Sequence, residues 1–147
     1  MTTEQSTGGM DAFTRRYLYL LAAAALAALV WWVSSVDSRV SELNDLLQSD
    51  PAVSAYPYKF RVLSLENGIA EMSSPRSAKM SAIQGLRILF PQLQDASAVS
   101  PEMMKAQEEL ARVQSRAAAL VVEQEDVGRV VWSLDEQWLS SHGVYLQ

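Results

Sequence analysis

A run of 20 uncharged residues, Tyr17–Val36, is the feature that most constrains this chain of 147 residues. An α-helix needs about 20 predominantly apolar residues to cross the hydrocarbon core of a bilayer. Tyrosines stand near one end of the run and tryptophans near the other, as in the aromatic belts of membrane-spanning helices. The sequence therefore predicts one transmembrane helix over residues 17–36, followed by a domain tied to the membrane.

A cleaved signal peptide is the alternative interpretation of this run. Signal peptides have a short apolar core of about 7–15 residues and a small-residue cleavage site, which the alanine run resembles. Here the apolar stretch continues through Leu29–Val33 and includes bulky tryptophans. This length favours an uncleaved anchor.

The charges that flank the run predict its orientation. Arg15 and Arg16 are the only basic residues before it, whereas the segment after it is mostly acidic. Short loops rich in arginine and lysine stay in the cytoplasm. We therefore expect a disordered cytoplasmic tail over residues 1–16 and a periplasmic domain over residues 37–147, in a bacterial inner membrane.

Alanines give the predicted span an unusually smooth surface. Ala23 with Ala27, and Ala24 with Ala28, form small-xxx-small pairs that let two helix backbones approach closely in lipid. A passive anchor in which alanine is simply a helix former is the alternative. A lone helix that faces lipid gains more insertion free energy from leucine than from alanine. Packing on other transmembrane subunits is therefore the preferred interpretation of these alanines.

About 110 residues after the span are enough for one small hydrophobic core. The element signals predict an α+β fold, a small α/β sandwich-type domain with the order α-β-β-α-α-β-α and an antiparallel or mixed sheet. The net charge of the chain is −5 and no basic patch occurs, which disfavours nucleic acid as a partner.

A β-hairpin is the clearest local signal in this domain. Tyr58–Leu65 begins with alternating apolar and basic residues, and Asn67-Gly68 separates it from a second apolar run. A type I′ turn needs positive φ at both central residues, which Asn-Gly provides. A separate short amphipathic helix over Ser38–Gln48 is predicted to precede the hairpin.

Two Ser-Pro pairs predict the starts of further helices, because serine caps a helix N-terminus and proline suits its first turn. The pair at residues 74–75 predicts a helix that ends at Pro91. The pair at residues 100–101 predicts a long helix, 101–125, with an apolar stripe at heptad spacing. Covering the sheet is the favoured use of this stripe, and pairing with a partner helix is the alternative.

The C-terminal segment predicts one strand and one helix. Arg129–Leu134 is rich in β-forming residues, and a capping-box pattern at residues 133–136 predicts a short helix that runs to His142. Residues 144–146 are expected to add an edge strand or to pack as a tail.

Residues 40–93 resemble the BON domain, a small envelope module with the order α-β-β-α-β. Three segments carry the resemblance: Leu43–Leu47 with Asp50, the turn at Glu66-Asn67-Gly68, and Ser77–Leu89. The resemblance implies an envelope location and non-catalytic binding to membranes or partner proteins. The chain departs from the family where Phe90-Pro91 replaces the usual Gly-Val pair, and where the next strand follows only after the long helix.

The sequence offers little catalytic chemistry. The chain has no cysteine, and its only histidine, His142, lies at a predicted helix end, where it is more often structural. This composition argues against a zinc site, and no phosphate-binding glycine loop occurs. Adjacent carboxylates such as Glu108 and Glu109 are typical of solvated surface charge. We therefore predict no enzyme, no cofactor, no metal and no small-molecule substrate.

Three aromatic residues, Trp132, Trp138 and Tyr145, are candidates for partner contact. Tryptophan is enriched at the centres of protein interfaces. Completion of the core of a small domain is the favoured alternative. Together these features predict an accessory or scaffolding subunit of a larger inner-membrane complex. The alternative is a free-standing, membrane-anchored periplasmic module that binds cell wall, lipid or protein.

Overall fold

The computed structural model describes residues 11–145, without the side chains of residues 36 and 37. The chain divides into two compact units, Met1–Asp37 and Ser38–Gln147. Most of the predicted tail, residues 1–10, and the predicted C-terminal contribution of Leu146 lie outside the described residues.

Helix α1 spans Ala12–Ser49, which is 38 residues. It is long and apolar enough to cross a membrane, although a signal sequence near the N-terminus satisfies the same criterion. The helix begins before the predicted span and includes residues 12–16, which the sequence places in the tail. The separate helix predicted over Ser38–Gln48 is wrong, because this segment is the end of α1 and no proline or glycine interrupts it.

A mixed three-stranded sheet lies in the second unit. Its strands are β1 (Val62–Glu66), β2 (Ile69–Ser74) and β3 (Arg129–Leu134), in the spatial order β1-β2-β3. β1 pairs antiparallel with β2, and β3 pairs parallel with β2. The predicted hairpin is confirmed, since Asn67 and Gly68 have φ of 50° and 76°.

Short and long helices connect and cover this sheet. They are α2 (Pro51–Ser54), α3 (Ala82–Leu89), a 3₁₀ turn (Pro91–Leu93), α4 (Pro101–Val122) and α5 (Glu136–Ser141). The α+β class is confirmed, and α2 is an element that the sequence analysis missed. Residues 144–145 form no strand, so the predicted edge strand is absent from the described part of the C-terminus. The alternative prediction, a packed tail, remains.

Two predicted helix starts are wrong for the same physical reason. Ser73 and Ser74 continue β2 beside Ser133 and Leu134 of β3, so the chain is still paired as a strand at both predicted caps. Helix α3 begins instead after Ser81, in a capping box with Gln84, and α5 begins after Asp135. Strand pairing thus overrides the local capping signals.

The core of the second unit forms where α4 covers the sheet. The heptad stripe of α4 is buried, as the favoured interpretation predicts, and α4 contacts α2, α3 and β3. Its buried apolar residues are Met103, Leu110, Val113, Ala117, Leu120 and Val121. They share one cluster with Leu43 and Leu47 from the end of α1.

Two of the ion pairs that connect distant parts of the second unit each use two guanidinium nitrogens. Arg39 makes a two-point contact with Asp126, with Nε–Oδ2 and Nη2–Oδ1 distances of 2.7 Å. Arg116 on α4 donates to Oδ2 of Asp50 from Nε at 3.0 Å and from Nη2 at 2.7 Å, while the other Asp50 oxygen caps α2. The guanidinium groups hold the pKa values of both carboxyls below their ordinary value of 3.8.

Acid should weaken the second unit through these two carboxylates. A carboxyl whose pKa is depressed on folding stabilises the folded state above its unfolded pKa, near 3.8, and this contribution is lost as the pH falls through the lower folded pKa. We expect the unfolding temperature to fall as the pH drops below about 4. Arg116→Ala should reduce this pH dependence, measured by thermal unfolding of the detergent-solubilised chain. Arg112→Ala, at an exposed pair within α4, is the control and should leave it unchanged.

Among the glycines that the structure describes, Gly85 has the least room for a side chain. A Cβ at this position would lie 2.5 Å from the carbonyl oxygen of Pro75, so the backbone would have to move. We expect Gly85→Ala to lower the free energy of unfolding by about 1–3 kcal/mol. Gly128→Ala is the matched control, because its Cβ would lie 3.5 Å from the nearest atom. Equal stability of the two variants in chemical denaturation would contradict this prediction.

Candidate functional site

The four alanines proposed to pack in the membrane lie on one side of α1. At about 100° per residue, Ala23, Ala24, Ala27 and Ala28 cover one face of the helix. All four side chains are exposed in this structure. The flanking aromatic residues near both ends of the predicted span are also exposed. This surface is therefore open along the part of α1 that is apolar enough to cross a membrane.

The three candidate contact aromatics are not equivalent. Trp132 in β3 is 37% exposed and lies 6.0 Å from the ring centroid of Phe60. Trp138 in α5 is half-buried and meets Tyr58 edge-to-face at 5.3 Å. Because Tyr58 and Phe60 are themselves 4.9 Å apart, the two tryptophans belong to one ring cluster. Tyr145 is 77% exposed and contacts no ring of this cluster within the described residues.

A buried carboxylate, Asp135, organises the polar side of this cluster. Its Oδ2 accepts hydrogen bonds from the Tyr58 hydroxyl and from Nη2 of Arg61, both at 2.9 Å. Its Oδ1 accepts the backbone N–H of Trp138 at 2.9 Å, which caps α5. Burial, as the main cause, raises the pKa of Tyr58, so its hydroxyl remains a neutral donor. Asp135 was visible in the sequence only as part of a helix-start pattern, since its two side-chain partners are more than 70 residues away.

The surface beside Asp135 forms a crevice of about 350 Å³. Lys59 and Arg61 contribute positive charge to its walls, and Trp138 contributes an apolar face. The donors to Asp135 already occupy both of its oxygens, which leaves the carboxylate poorly placed for acid–base chemistry. The arrangement positions α5 and anchors the ring cluster.

The only histidine, His142, lies at the C-terminal end of α5. The Nδ1 of His142 lies 2.8 Å from the carbonyl oxygen of Trp138 and 3.2 Å from the Ser141 hydroxyl. Its ring also lies against Trp138, with centroids 4.8 Å apart. This geometry suits a side chain that caps the last carbonyls of a helix.

A larger groove lies between α2, the 3₁₀ turn and α4. It measures about 670 Å³, within the range of ligand pockets. Its floor includes Tyr56 and Phe90, and charged side chains of α4 form its rim. The Tyr56 hydroxyl is buried and has no hydrogen-bond partner among the described residues. Burial, followed by the nearby charge of Glu109, raises the pKa of Tyr56 to about 12.

Comparison with known proteins yields no relative. No protein-family model matches the chain, and no curated protein or solved structure matches it. The similarity of residues 40–93 to the BON domain therefore stays a prediction. Within residues 11–145, no group of three or more histidine, aspartate or glutamate side chains is arranged to hold a metal ion.

Loss of the Asp135 carboxylate should destabilise the second unit. Asp135→Ala removes the cap of α5 and leaves the Tyr58 hydroxyl buried without its acceptor. We expect the free energy of unfolding to fall by about 2–4 kcal/mol in chemical denaturation. Glu136→Ala, at the next and exposed position, should change it by less than about 0.5 kcal/mol. A similar small effect of both changes would contradict the proposed importance of this buried network.

Proposed function

We propose that this protein is a non-catalytic, single-pass membrane protein that acts as an accessory or scaffolding subunit of a larger membrane complex. The carrying observation is the exposed alanine face on an uncharged segment of α1. In lipid, small residues at this spacing allow close helix–helix contact. A complex with other transmembrane subunits gives this face a role that a solitary anchor does not need.

The proposed topology follows from charge. Arg15 and Arg16 favour a cytoplasmic N-terminus, which gives a periplasmic second unit in a bacterial inner membrane. Such a unit would carry a folded scaffold on the outer side of the complex. Its internal ion pairs and its buried Asp135 network support a structural role rather than a catalytic one.

A free-standing binding module is the second candidate function, and the groove beside Tyr56 favours it. The volume of this groove suits a ligand, and Tyr56, Phe90 and Leu93 give it an apolar lining. A protein segment, a lipid or a cell-wall fragment could fill it. This function would place the binding energy in the second unit instead of in the anchor.

The role of the alanine face can be tested by placing leucines on different faces of α1. Ala24→Leu with Ala27→Leu adds two leucines to the proposed packing face. Ala22→Leu with Ala25→Leu, at the same spacing, adds them to the opposite face and is the matched control. Full-length protein with a C-terminal tag is extracted in mild detergent, and co-eluting proteins are identified by mass spectrometry.

We expect the wild type and the control to co-elute stoichiometrically with a transmembrane protein, and the Ala24/Ala27 variant to lose most of that partner. The physical reason is that leucine at a close helix contact pushes the two backbones apart. Retention of the partner by both variants would contradict a role for the alanine face. A wild-type protein that elutes without any membrane partner would favour the free-standing module.

A further inference from the structure

The outer edge of β3 is an open edge of the sheet. β3 pairs with β2 on one side, and no strand within residues 11–145 pairs with it on the other. In a parallel pair, the N–H and C=O groups of alternate residues point to opposite sides of the strand. The amides of Arg129 and Asp135 donate to Gly68 and Ser74 on the β2 side. The backbone groups of Val130, Trp132 and Leu134 therefore point away from β2.

The other edge of the sheet is blocked at the first residue of β1, which makes the contrast informative. The backbone N–H of Val62 in β1 donates to Oδ1 of Asn44 at 2.8 Å, and Nδ2 of Asn44 donates to the Val62 carbonyl at 3.0 Å. One side chain from α1 thus occupies the donor and the acceptor that an incoming strand would need there. Natural sheets commonly protect their edges in such ways.

The open edge lacks several of the usual protections. β3 (RVVWSL) contains no proline and no lysine, and within the described residues it has a regular six-residue register with β2. Val130, Val131 and Leu134 are half-buried, and Trp132 is exposed. An apolar, regular edge strand of this kind pairs readily with another strand.

We propose that β3 is a self-association edge, on which the β3 of a second copy of this chain pairs antiparallel to form a six-stranded sheet. The register that we propose places Trp132 opposite the partner's Trp132. Because the free backbone groups belong to residues 130, 132 and 134, this register brings three facing pairs of such residues into hydrogen-bonding position. It also joins the two exposed indole rings on one face of the sheet.

The charges at the ends of β3 fit this partner and this direction. Arg129 begins the strand, and Asp135 and Glu136 follow its end. In the antiparallel register, Arg129 lies beside the exposed Glu136 of the partner, so opposite charges meet at both ends of the contact. A parallel arrangement would place Arg129 beside the partner's Arg129 instead. This self-association rests on the sheet and is independent of the alanine face in the proposed function.

The absence of native cysteine allows a direct test by disulfide formation in the full-length, detergent-solubilised protein. Facing residues in a hydrogen-bonded antiparallel pair have Cα atoms about 5.5 Å apart, a separation that a disulfide spans. Trp132→Cys should therefore give a covalent dimer on mild oxidation. Val131→Cys alone and Ser133→Cys alone should not. In this register, residue 131 faces residue 133 of the second copy, so identical cysteines at either position do not face each other.

A second cross-linking experiment keeps Trp132 in place. In the proposed register, Val131 faces the partner's Ser133 with Cα atoms about 4.5 Å apart. An equimolar mixture of the Val131→Cys and Ser133→Cys proteins should cross-link between the two kinds of chain, although neither does so alone. Circular dichroism and thermal unfolding establish that each variant is folded.

Charge exchange tests the register without any covalent bond. Arg129→Glu places like charges at both ends of the contact and should lower the association constant about tenfold, measured by sedimentation equilibrium in detergent. Adding Glu136→Arg to the same chain should restore most of the association. A general effect on folding would weaken association without this rescue.

Several outcomes would overturn the proposal. A folded chain that forms neither the 132–132 nor the 131–133 cross-link would exclude this edge as a self-association site, as would equally efficient cross-linking at 131, 132 and 133 alone. The Ala24/Ala27 variant should still cross-link at residue 132. A monomer that co-elutes with a transmembrane partner would refute β3 pairing and leave the proposed function intact, whereas a β3 dimer without a partner would do the reverse.

Discussion

The parallel pairing of β3 with β2 is the constraint on which the rest of the second unit depends. A parallel neighbour cannot be reached through a tight turn, so the chain must cross over between the end of β2 and the start of β3. Helices α3 and α4 form that crossover. The buried stripe of α4 is a result of this route, because the crossover brings its apolar side chains onto the sheet. Asp135 also depends on the pairing, since the end of β3 delivers it to Tyr58 and Arg61.

Local patterns predicted those parts of the fold that local chemistry decides. The Asn-Gly turn requires positive φ, and few other sequences supply it as readily, so the hairpin could be located to the residue. Helix α4 could be predicted because Ser100 caps it and its apolar stripe repeats over several turns. The alternating burial of Tyr58, Phe60 and Val62 also follows the sequence pattern, although only Val62 belongs to β1.

The two wrong helix starts arose where distant residues compete with a local signal. Ser74-Pro75 has the chemistry of a helix start, yet Ser74 gives its backbone to the pairing with β3, from a segment about 60 residues away. Likewise the importance of Asp135 depends on partners in the region before β1. The tryptophans of the ring cluster could be singled out by residue type, but their separate environments follow from the packing of β3 and α5 on Tyr58 and Phe60.

The hairpin and the crossover differ greatly in the length of chain that each must close. The paired residues Glu66 and Ile69 are three positions apart in the sequence, whereas the paired residues Ile69 and Arg129 are 60 positions apart. Closing the longer loop costs more chain entropy, and non-local strand pairing is slow for this reason. We therefore expect β1 and β2 to form early and β3 to dock late, so that a newly made chain passes through a stage in which the β2 edge is open to other strands. For this sequence, the speed with which α4 collapses onto the hairpin determines how long that vulnerable stage lasts.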